Sequence, residues 1–323
     1  MIVKRGELAM SIKGNKSWTW LVFAGAVCWS LNAPFVKYIN MDPMLLCAMR
    51  SLVAGIVLSP FIFRKKTRLS KSLIGYIICY VGNTACLVIA LKAVPSAIAV
   101  GMQYTGMIWL FGIALMKKQT TLSFRTIMPI ATVVMGVVLF MVSGSSGDYS
   151  AAGMLAAISE SLFFAGITYF AKDAGGDDPL ALTSIANLAT AVFVFALPST
   201  ALADIGTIDG TNWLLLLFLG TCQLGAGYTL YNIGLKHVLP HKASMIAIWE
   251  MILGPVWCLI FLGELPAMMV VAGFVLILIG MLADGVLAGI KAAENTIHLV
   301  EDERNEEHAA MAAAAGGRRA ARR

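Results

Sequence analysis

The chain has 323 residues, of which 59% are hydrophobic and only 13% charged, with a formal net charge of +6. A soluble domain carries about a quarter charged residues, and the mean hydropathy here is +0.81, so a soluble globular fold is excluded. The apolar runs are long and uncharged rather than short and alternating, which excludes a membrane β-barrel and leaves an all-α polytopic membrane protein.

A helix needs about 20 apolar residues to cross hydrocarbon. In chain order such runs fall at 18–39, 43–63, 72–91, 95–116, 126–143, 151–171, 180–198, 211–233, 242–262 and 266–287. Ten spans are predicted, preceded by a cytoplasmic segment 1–17 and followed by a tail 288–323. The first run is too long for a cleavable signal peptide. The tail from Lys291 to Arg323 holds six basic and six acidic residues. It reads as a helical extension with a disordered basic end, and it contributes nothing to the net charge. The positive excess therefore lies in the loops and signals neither nucleic acid nor any other acidic partner.

Basic residues before the tail are divided unequally. Fifteen fall on one side, including Arg64, Lys65, Lys66, Arg68, Lys71, Lys117, Lys118, Arg125, Lys236 and Lys242. Only Lys37 and Lys92 fall at the other. Positive loops stay in the cytoplasm, so both termini are expected there, in a cell (inner) membrane.

The six cysteines lie inside the spans without zinc-type spacing and read as small apolar packing residues. His237, His241, His298 and His308 lie in a loop and the tail. No metal or other cofactor is implied. There is no GxSxG, no HExxH and no phosphate-binding glycine loop, which argues against a membrane-embedded enzyme and against direct ATP drive.

The halves resemble each other. "ALKAVPSAIAVGMQYTGMIW" from Ala90 aligns with "GLKHVLPHKASMIAIWEMILGPVW" from Gly234 across a small insertion. Asp42-Pro43 before the second span is matched by Asp178-Pro179 before the seventh. Five spans per half is an odd number, so the halves are inverted. Inverted repeats are the symmetry of alternating access in many secondary transporters.

Ten spans, a 5+5 inverted repeat, an LKxV exit from the third helix of each half, and a fourth helix ending in Gly263-Glu264 together resemble the drug/metabolite transporter superfamily. Within it the chain is most similar to the EamA-type group. The resemblance implies two repeats, 18–143 and 151–287, and a transport activity. In one respect the chain departs from it: the fourth span of the first half ends in Lys117-Lys118 rather than Gly-Glu.

A charge at the bilayer centre costs about 3 kcal/mol unless paired or hydrated, so each one asks for a reason. Glu250 lies near the middle of span 9, flanked by Trp249 and Trp257, and corresponds by the repeat to Tyr104. It reads as a carboxylate that carries a proton or a cationic substrate group, or else as one end of an internal hydrogen bond or ion pair. Glu160 in span 6 either lines a cavity or pairs with Arg50 of span 2. Arg50 in turn either grips a substrate carboxylate in bidentate fashion or serves as a structural charge. Lys37, Lys92 and Asp284 sit near span ends and read as snorkelling anchors. Trp29, Asn32, Asn83, Gln103, Tyr104, Tyr228 and Trp249 complete the expected cavity lining, and Pro34 is expected to break span 1.

Carboxylates beside aromatic rings suit a cation, and Arg50 adds recognition of a carboxylate. The best single substrate class is therefore an amino acid or another amine-bearing metabolite, exported with or without proton coupling. A multidrug or organic-cation exporter is the alternative. A channel, which needs a filter or ring, and an enzyme are remote alternatives. The expected partners are a small-molecule substrate, protons and the lipid bilayer.

Overall fold

The computed structural model describes residues 16–64, 70–118, 120, 122–144, 149–174, 178–198, 202–235, 237–238 and 240–290. The N-terminal segment 1–15, the tail 291–323 and the basic residues Lys65, Lys66, Arg68 and Lys236 lie outside them. All regular structure among the described residues is helical. Nine helices there are long and apolar enough to span a membrane: Trp18–Tyr38, Pro43–Phe61, Lys71–Ala93, Ser96–Met116, Phe124–Ser143, Ala151–Phe170, Gly210–Tyr231, Met245–Leu262 and Met268–Ile290. The shorter apolar helix Leu180–Phe195 takes the seventh place and completes ten spans.

The start of spans 2 and 7 shows how sequence sets an element. The Asp42 side chain accepts from the Leu45 amide at 2.8 Å, and Pro43 follows at the first helical position. Asp178 accepts from the amides of Leu180 and Ala181, and Pro179 follows. An aspartate cap satisfies the free amides of a first turn, and proline loses nothing there because its missing N–H has no partner.

Packing follows a pseudo-two-fold pattern. Span 3 runs along span 6, and its repeat counterpart, span 8, runs along span 1. Span 4 touches span 6 as span 9 touches span 1, and spans 2 and 7 pair across the axis. Spans 5 and 10 meet through glycines. A Cβ on Gly136 would lie 2.5 Å from the Gly273 carbonyl oxygen, so only glycine allows this approach. The symmetry reaches single hydrogen bonds. Trp109 Nε1 donates to Ser161 Oγ at 2.9 Å, and Trp257 Nε1 donates to Ser30 Oγ at 3.0 Å. Each serine in turn donates to the carbonyl three residues back, Ile158 and Val27.

Three spans are interrupted near the middle. Span 1 breaks at Leu31, three residues before Pro34. Span 4 breaks at Thr105. Span 8 widens into a π-helical stretch, Leu219–Ala226. Backbone irregularity inside a membrane is tolerated where it is buried in protein or faces a cavity, and π-type widening clusters at functional sites.

Candidate functional site

The three interruptions surround one cavity of about 400 Å³. It draws walls from both repeats: Trp29 and Asn32 of span 1, Arg50 of span 2, Asn83 of span 3, Gln103 and Tyr104 of span 4, Tyr228 of span 8 and Glu250 of span 9. The Tyr104 hydroxyl donates to Glu250 Oε2 at 2.6 Å and also lies 3.2 Å from the Ala247 carbonyl. These two residues are repeat equivalents, so the bond marks the pseudo-two-fold axis.

Arg50 is 2% exposed. Its Nη1 donates to Asn32 Oδ1 at 2.5 Å, while its Nε has no partner. Trp29 Nε1, Asn83 Oδ1 and Gln223 Oε1 are likewise buried without a partner. Leaving a buried donor or acceptor unpaired costs about 1–3 kcal/mol, so such atoms around one cavity ask for a ligand or water. The Trp29 ring lies 4.8 Å from Tyr228 and 4.6 Å from Tyr231, forming an aromatic wall. A Cβ on Gly227 would sit 2.7 Å from the Trp29 indole, so the glycine is what admits that ring.

The two ends of the spans differ. Beside the loops at 39–42, 94–95 and 263–267, Glu264 accepts from the Ser96 amide at 2.5 Å and from its hydroxyl at 3.0 Å. Lys37 Nζ lies 2.9 Å from Glu264 Oε2 and donates to the Val94 carbonyl at 3.0 Å. Lys92 donates to the Ile39 carbonyl. Spans 1, 3, 4 and 9 are thereby tied together. Toward the basic loops the cavity continues past Met245 to Gly285 and to Asp284, which is exposed.

The sequence matches the EamA-like transporter family twice, over residues 16–142 and 151–283. The chain belongs to the EamA-like transporter family. No curated protein matches the sequence. A solved crystal structure whose description names no function aligns with 84% of this chain and 98% of its own, at 19% identity and a TM-score of 0.57. That likeness concerns the fold alone.

Most of the residues expected to line a cavity in this EamA-like chain do meet at one. Two do not. Trp249 is 46% exposed and packs edge-on against Phe23, because it projects from the outer side of span 9 while Glu250 projects inward. Glu160 is fully buried behind the cavity wall, and neither of its oxygens has a hydrogen-bond partner. The expected Arg50–Glu160 pair is not formed; the guanidinium turns to Asn32 instead. Lys37 and Lys92 are not snorkelling anchors, since both donate to backbone carbonyls of neighbouring span ends. Asp284 is a wall of the cavity rather than an anchor. Tyr231, Phe164 and Thr168 also line the cavity. Nothing in their spacing separated them from ordinary packing residues.

Proposed function

We propose that the chain is a secondary active transporter for a small amine-bearing metabolite, with an amino acid as the best-fitting class. It works by alternating access between the two repeats. The observation that carries this reading is the set of unpartnered buried polar atoms around a cavity that also holds Glu250 and Arg50. A carboxylate and a guanidinium in one cavity match the two charged ends of an amino acid, with Glu250 taking the ammonium and Arg50 the carboxylate. Glu250 carries either a proton or the ammonium group, and that competition would couple transport to a proton gradient. Glu160, buried near both charges, acts on the field around them rather than touching substrate. The basic loops face the cytoplasm of a cell (inner) membrane. The cavity reaches that side, so substrate loads from the cytoplasm and leaves by export.

The aromatic wall of Trp29, Tyr228 and Tyr231 favours one second reading, an organic-cation exporter that has no use for Arg50. A thermal-shift screen separates the two. Purified protein is tested with amino acids, polyamines and quaternary amines, as wild type, Glu250→Gln and Arg50→Lys. The main reading expects stabilisation by amino acids that is lost in both variants, since lysine keeps the charge but not the bidentate fork. Stabilisation by quaternary amines that survives Arg50→Lys favours the second reading. Full amino-acid stabilisation of Glu250→Gln contradicts the role assigned to Glu250.

A further inference from the structure

A second cavity, of about 730 Å³, lies between spans 4, 5 and 10. Its walls are apolar, formed by residues such as Phe111, Ala114, Ile130, Leu287 and Ile290. Lys118 and Arg125 line it together with Thr120 and Ser123. Met107, Leu110 and Asp284 also line it, and these three belong to the central cavity as well. Lys118 follows Met107 by eleven residues, about 16 Å along a helix. The groove therefore has two cations at the loops and an apolar wall running along span 4, with the exposed Asp284 at its border with the central cavity.

Lys118 has a φ of 56°, the one non-glycine residue with positive φ among the described residues. Gly263, in the turn that ends span 9, has a φ of 65°. Glycine adopts this backbone freely and lysine does not. The turn that ends span 4 thus carries a lysine where glycine would serve without strain. No carboxylate pairs with Lys118 or Arg125 among the described residues.

We propose that this groove seats an anionic membrane phospholipid, its phosphate between Lys118 and Arg125 and an acyl chain along the apolar wall. The two cations complement a net negative headgroup at the level where headgroups lie. The apolar wall needs a chain that a free anion lacks. Because Met107 and Leu110 separate the groove from the central cavity, a seated chain also closes that side of the cavity to the bilayer.

The test is a thermal-shift titration of the purified full chain in detergent, with dioleoyl phosphatidylglycerol, dioleoyl phosphatidylcholine or inorganic phosphate. Wild type is compared with the double variant Lys118→Gly/Arg125→Gln. Glycine suits the backbone at 118, so the variant is expected to fold with an unchanged or raised melting temperature in detergent alone. The proposal expects a larger upward shift with phosphatidylglycerol than with phosphatidylcholine in wild type, and loss of that excess in the variant. Equal shifts with both lipids, or an excess retained by the variant, overturn it. A shift reproduced by inorganic phosphate alone overturns it too, since the site is then for a free anion.

Discussion

The two ends of the molecule are related by the repeat and yet are built oppositely. Span 9 ends in Gly263-Glu264, and the carboxylate reaches the first turn of span 4 and Lys37 at the end of span 1. Span 4 ends at the equivalent place with Lys117 and Lys118. There Lys117 donates to the Tyr169 hydroxyl and lies over its ring, at the end of span 6. Both turns use a left-handed residue to stop the helix. One end thus closes on an ion pair and two donors from a helix start, while the other has a cation on a phenol. The closed end is also where the helix dipole favours a carboxylate. The lesson is that symmetry supplies two equivalent span ends, and a few substitutions give them different bonds; on the proposed mechanism these ends are the two gates.

The largest effect is expected from reversing the charge that shuts the closed end. Glu264→Lys removes the ion pair and both Ser96 bonds and sets two lysines side by side. Charge-assisted bonds are worth about 1.5–3 kcal/mol each, so the balance between the two access states should move by about a hundredfold. Lys37→Glu on the same background should restore part of it. Single-molecule distances between labels on either end would read the populations, and no recovery in the double variant would mean that Lys37 is a bystander.

A smaller effect concerns the cavity wall. Gly227→Ala drives a methyl into the Trp29 indole, an overpacking that costs about 1–3 kcal/mol. Thermal unfolding should show the loss, and ligand stabilisation should weaken with it as Trp29 is displaced. Unchanged ligand stabilisation would remove Trp29 from the site.

The smallest effects test how alike the repeats are. Trp109→Phe and Trp257→Phe each delete one indole bond to a serine and should each cost about 1 kcal/mol. Equal losses in melting temperature support equivalent structural roles. A much larger loss for Trp257→Phe would show that the second repeat carries more of the closed end.

What could be read in the sequence was depth and repetition. A carboxylate in the middle of an apolar run marked Glu250, and the repeat pointed to Tyr104 as its counterpart; the structure joins the two by a hydrogen bond. Asp-Pro pairs marked the starts of spans 2 and 7 because cap chemistry is local. Direction around a helix was not legible. Trp249 and Glu250 are neighbours in sequence, and which of them faces inward depends on how span 9 packs against span 1. Partners across spans were hidden for the same reason. Lys37 and Lys92 had the depth of anchors, and only the assembled bundle brings them to Val94, Ile39 and Glu264. The motif Gly263-Glu264 was visible, but the donors to its carboxylate, Ser96 and Lys37, lie far away in the chain and carry no local signature.

Hydrogen–deuterium exchange of wild type and Glu264→Gln, both in the same membrane mimetic, tests the asymmetry of the two ends most directly. The account predicts slow exchange over residues 94–104 and faster exchange over 107–118 and 281–290 in wild type, and a reversal of that contrast in the variant. Equal exchange at both ends of wild type, or an unchanged pattern in Glu264→Gln, would contradict it.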